Sequence, residues 1–166
     1  FYAYYNFPEG IDTEWEKLYD LSRSCKKAIQ TLLTEELKDY SGFFSEKDIF
    51  PVLTLIHLYL ELSLKAVLFK KNKILKTTHN IDQLLIFAEE IVPELKFCKE
   101  ERGFIIWLSR ENNNATPFRY NFDKKGKEEF TLNCASKERG ICLSHIYTVW
   151  NNIFKLMDHH FEKHLL

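Results

Sequence analysis

The sequence predicts an all-α bundle of four or five helices carrying one long irregular loop. Two observations carry that fold class. Apolar residues recur at helical spacing in several windows, most plainly at Leu143, Ile146, Tyr147, Trp150, Ile153, Phe154, Met157 and Phe161, a face of about five turns. A second stretch, from Phe50 to Phe69, is apolar almost all round, as a helix buried on most sides must be. The chain of 166 residues shows no internal repeat and no dividing linker, so it reads as a single domain, 1–166.

In order along the chain, residues 1–11 (FYAYYNFPEGI) form an irregular aromatic arm broken by Pro8 and Gly10, expected to lie on the core because exposed rings are costly. Asp12 or Thr13 caps a first helix running to about Leu37, with Trp15, Leu18, Leu21, Cys25, Ala28 and Leu32 as its inward face. Ser45 or Asp48 opens the central helix, with Pro51 tolerated in its first turn. Thr78 or Asn80 caps a third helix, Ile81 to about Val92, and Pro93 begins a fourth, with a bend expected at Gly103. Residues 112–135 form the long loop, whose Asp-Lys-Lys-Gly reads as a turn between two short strands.

Composition narrows the function classes. With 45% hydrophobic residues and 15% aromatics the chain can fill a core. A net charge of −1 gives no bulk attraction to nucleic acid or anionic membrane, although local patches can bind. No charge-free apolar run reaches the roughly 18 residues of a membrane span. The chain begins at Phe1, which reads as a fragment or a missing start, and nothing resembles a signal peptide. Cys25, Cys98, Cys134 and Cys142 are scattered with no C-x-x-C pair, which suits reduced thiols of a cytoplasmic protein and no zinc site. No cofactor and no metal is expected. His160 and His164 have ligand spacing, but histidines near a helix C-terminus are already favoured by its dipole.

The chemistry-bearing residues begin on the central helix. Thr54, His57, Glu61 and Lys65 fall on one polar stripe, with Glu61 four residues ahead of Lys65, the favourable order for an ion pair. A charged pair on an apolar face needs further partners, and Arg119 is a natural one for Glu61. The stripe is either part of a cleft or a satisfied internal network. His79, beside Thr78, organises a helix start or contacts substrate. Arg119 and Tyr120 either grip phosphate and stack a base or pin the loop to the bundle. Lys70, Lys71, Lys73, Lys76 and Lys124, Lys125, Lys127 are the basic clusters available to RNA; otherwise they are solvated lysines.

The order YLELSLK (Tyr59 to Lys65), THN-x-x-x-LL (Thr78 to Leu85) and PFRYNFDKKG (Pro117 to Gly126) resembles bacterial HEPN-type domains over roughly residues 49–156, with Asn121 where that family has proline. The resemblance implies a HEPN-like helical bundle that dimerises. It also implies metal-independent cleavage of RNA in toxin–antitoxin, abortive-infection or CRISPR-type antiviral defence, in a bacterial cytoplasm. The family's Arg-x(4–6)-His signature matches Arg139-Gly-Ile-Cys-Leu-Ser-His145. On that pattern His145 moves protons for attack of the 2′-hydroxyl on phosphate, while Arg139 stabilises the phosphorane charge. Glu61, Lys65 and Arg119 would shape the site. Residues six apart on an unbroken helix lie about 120° out of line, so convergence requires Arg139 in a bent or non-helical turn. The resemblance also admits a non-catalytic module that dimerises or binds a protein, RNA or nucleotide, including the helical half of a nucleotidyltransferase toxin–antitoxin pair. The Arg/His spacing would then be a loop arginine and a structural histidine.

Overall fold

The computed structural model describes residues 13–38, 46–72, 77–111 and 143–165. They form five α-helices: α1 (Thr13–Lys38), α2 (Glu46–Asn72), α3 (Ile81–Ile91), α4 (Lys99–Glu111) and α5 (Leu143–Leu165), with no strand among the described residues. The fold class is all-α, as the helical periodicity requires. The aromatic arm, the turn in the long loop and its expected strands lie outside the described residues.

α2 is the axis of the core. Val52, Leu53, Ile56, Leu60, Leu64 and Leu68 are wholly or almost wholly buried along it. By length and hydropathy the stretch Ile49–Lys71 could cross a bilayer despite Glu61 and Lys65, but 72% of its most apolar window is already buried inside the bundle. α1 runs antiparallel to α2: Trp15 at its start receives the Lys70 ammonium at 4.5 Å from the end of α2. α5 lies antiparallel to α1, with Lys26 bonded to Asp158 at 2.6 Å and Tyr19 stacked on Phe161 at 4.2 Å. α3 and α4 are antiparallel as well. Asp82 meets Ser109 at one end, and Glu89 pairs with Arg102 at the other.

Three sequence expectations are corrected by the structure. The inward face of α1 passes through Leu18, Ser22, Cys25, Ile29 and Leu33, while Leu21 is 43% exposed. Ser22 misleads a hydrophobicity reading because its hydroxyl donates to the Tyr19 carbonyl at 2.7 Å and so enters the core without an orphaned polar group. α2 begins at Glu46, so Pro51 is its sixth residue and removes one helical bond. It is exposed, where water can serve the unmatched carbonyl. α4 begins at Lys99 rather than Pro93. Leu95 and Phe97 reach the core on alternate residues, with Lys96 exposed between them, which is extended spacing. Cys98 then starts the helix, its N–H held by Glu101 Oε2 at 2.8 Å in half of a capping box. α4 continues through Gly103 to Glu111.

A Cβ at Gly103 would meet nothing within 4 Å. Gly103→Ala is expected to stabilise the fold by about 0.4–1 kcal/mol, read as a higher denaturant midpoint, because alanine removes freedom from the unfolded chain at no steric cost.

Tyr59 stands edge-on to Trp150 at 4.7 Å, joining α2 to α5. Burial pushes its hydroxyl far above the ordinary value of 10.0, and the charge of Asp158 adds to the rise. Below pH 10 the folded and unfolded chains both keep this proton. Above it the unfolded chain releases the proton and the folded one does not, so stability falls as pH rises. Urea titrations at pH 9 and 11 should show that loss, and Tyr59→Phe should remove part of it. An equal loss in both proteins would contradict the assignment.

Candidate functional site

The best-defined polar site is centred on Glu61. Its neighbours on α2 are hydrophobic, and both the Glu61 and Lys65 side chains are only 9% exposed. One turn of helix puts Lys65 Nζ 2.8 Å from Glu61 Oε1. The same oxygen meets His79 Nδ1, also at 2.8 Å, across the bundle from the segment that leads into α3. A buried carboxylate thus takes two charge-capable partners on one oxygen, which offsets the desolvation a lone charge would suffer.

The His79 backbone is held by its neighbours. Asn80 is the N-cap of α3, accepting from Gln83 N at 3.0 Å, and Thr78 Oγ1 accepts from Asn80 N at 3.1 Å. Ser109, near the end of α4, donates to Asn80 Oδ1 at 3.2 Å. The Thr-His-Asn turn is therefore tied to α2, α3 and α4 at once. His79 itself keeps 64% of its side chain exposed. The sequence located Glu61, Lys65 and His79 separately, but the bond from His79 to Glu61 was not legible there, since 18 residues of chain separate the two. Arg119, proposed from the sequence as the partner of Glu61, lies outside the described residues, as does Tyr120. On the same stripe His57 is buried and Thr54 half-buried, and both make further interactions.

His145 stands elsewhere. It is the third residue of α5, 56% exposed, with Nδ1 3.5 Å from the equally exposed Glu100 of α4. Glu100 and Ser109 are nine residues apart on α4, about 13 Å at the rise of an α-helix, so His145 and the Glu61 site occupy opposite ends of α4. Within one chain the described residues do not bring His145 beside Glu61, Lys65 or His79. Arg139 lies outside the described residues.

The remaining candidates are engaged or outlying. Lys71 is 4.0 Å from Glu94 and Lys70 covers Trp15; the other lysines of the basic clusters lie outside the described residues. His160 is buried with its ring edge-on to Phe161. Among the described residues no three histidine, cysteine or acidic side chains gather as metal ligands do. Cys25 is half-buried and Cys98 exposed, both as free thiols, and burial pushes the Cys25 thiol up.

A five-helix bundle whose central helix carries a buried Glu-x-x-x-Lys pair, closed by a Thr-His turn, defines the class of protein. A family model described as the HEPN domain matches residues 22–142, which include that pair, that turn and the Phe-Arg-Tyr segment. The chain belongs to the HEPN domain family. No curated protein and no solved structure matches it.

Proposed function

We propose that the chain is a metal-independent HEPN endoribonuclease that acts as a cytoplasmic homodimer in bacterial toxin–antitoxin or anti-phage defence. His145 transfers the protons and Arg139 faces the phosphate. The observation that supports this reading is the setting of His145. It lies in the first turn of α5, more than half exposed, with Nδ1 toward Glu100 and Nε2 left for a substrate. In the reaction the ribose 2′-oxygen attacks the adjacent phosphorus as His145 takes its proton. The 5′-oxygen leaves with a proton, and a 2′,3′-cyclic phosphate remains. Arg139 answers the charge that builds on the phosphorane with a fork of fixed donors.

Purified protein is expected to cut single-stranded RNA in the presence of EDTA and to leave cyclic phosphate ends. His145→Ala, equally folded and equally dimeric, should lose at least a hundredfold in rate, as removal of a proton-transfer group does. Equal cutting by both proteins would remove His145 from the mechanism.

One observation favours a second reading, a non-catalytic HEPN module that binds a protein, RNA or nucleotide partner. Among the described residues, the buried carboxylate of Glu61 is closed on its own Lys65 and His79. A protein that binds RNA or a nucleotide without cutting any RNA offered would fit this reading and not the first.

A further inference from the structure

Resting on the ribonuclease reading, we propose that His79 is an RNA-contacting residue that accepts a hydrogen bond from a ribose 2′-hydroxyl, away from the phosphate served by His145.

Glu61 forms an ion pair with Lys65 at 2.8 Å, and the carboxylate of such a pair can only accept. The 2.8 Å contact therefore requires His79 to donate from Nδ1. In the neutral imidazole the other nitrogen then carries the lone pair, so Nε2 is an acceptor facing outward. A histidine with only a packing role would be covered. This ring is 64% exposed, while the groups that orient it are buried. The turn around it is fixed through Thr78, Asn80 and Ser109, so the acceptor is presented at a set position.

An outward acceptor selects a ligand that offers a donor. Along an RNA strand the 2′-hydroxyl is the donor that DNA lacks. The two histidines stand apart within one chain. Two rulers, Glu100 to Ser109 on α4 and Asn80 to Glu89 on antiparallel α3, each span nine residues, about 13 Å. Within one chain that offset along the helices keeps the two histidines from acting on one phosphate. His79 is accordingly a binding residue that favours ribose over deoxyribose, and not a second catalyst.

The test compares binding of one single-stranded sequence as RNA and as DNA, in His145→Ala protein so that nothing is cut. Adding His79→Ala should weaken RNA binding about tenfold, leave DNA binding unchanged and so erase that share of the preference. His79→Ala also takes one of two partners from buried Glu61, so circular dichroism at the binding temperature must show it folded before affinities are compared. Nitrogen-15 spectra of free wild type should show neutral His79 protonated at Nδ1. An unaltered RNA-over-DNA preference, or protonation at Nε2, would overturn the proposal while leaving RNA cleavage by wild type, and the ribonuclease reading, intact. Absence of both RNA binding and RNA cleavage would overturn the two together.

Discussion

Replacing Glu61 by Gln is expected to cost roughly 3–5 kcal/mol of folding free energy, the usual loss when one partner of a buried pair is removed. Gln keeps the shape of the side chain, so the loss measures charge. Lys65, with its side chain only 9% exposed, would be left without its counter-ion at 2.8 Å, and His79 would lose a charged acceptor. That is a large share of the 5–15 kcal/mol that holds a typical domain together. The double replacement Glu61→Leu with Lys65→Met should recover most of it, because well-packed apolar groups remove the desolvation cost along with the attraction. Urea denaturation of wild type, single and double variants decides the matter. A single variant within 1 kcal/mol of wild type would mean that solvent reaches the pair and that the network does not organise the core. The recovered double variant would also separate stability from function, since it lacks the carboxylate that orients His79.

Trp150→Ala should cost about 3–5 kcal/mol, the range for removing a large buried aromatic side chain. Trp150 is wholly buried where α5 meets α2. It is edge-on to Tyr59 at 4.7 Å and tilted on Phe154 at 5.9 Å. Its removal opens a cavity where α5 meets α2. For a chain of this length the melting temperature should fall by roughly 6–20 °C. Trp150→Phe should cost much less. It keeps a ring in place, and it removes an Nε1–H that is buried without a hydrogen-bond partner among the described residues. Similar losses in the two variants would show that the indole N–H does have a partner, and that the cost lies in that bond more than in the cavity.

How far the fold was legible depends on whether a signal is local. The amphipathic repeat of α5 and the near-continuous apolar run of α2 identify their helices, because periodicity is a property of one segment. The cap at Asn80 was legible for the same reason. The inward face of α1 was misjudged by about one residue. Leu21 and Ser22 differ in hydrophobicity in the opposite sense to their burial, and only the Tyr19 carbonyl, by taking the Ser22 proton, makes serine acceptable inside. The start of α4 was misplaced because proline suits a first turn as well as the extended segment that carries Leu95 and Phe97 to the core. Glu61 and Lys65 could be paired on paper, since four residues on a helix fix their distance. His79 could not be joined to them, because that requires knowing that the segment ahead of α3 folds back onto the middle of α2.

The sequence by itself determined that this chain is helical, that its second helix forms the core, and that a carboxylate and an ammonium would share that helix's polar stripe. Each follows from spacing along one element, where geometry is fixed by the backbone. Only the tertiary structure decided which side chain completes the Glu61 site. It also set His145 and His79 at opposite ends of α4, and it spent the apolar length of α2 on a protein interior. Those outcomes depend on the antiparallel packing of α3 against α4 and of α1 against α2, which brings together residues that the order of the chain keeps apart.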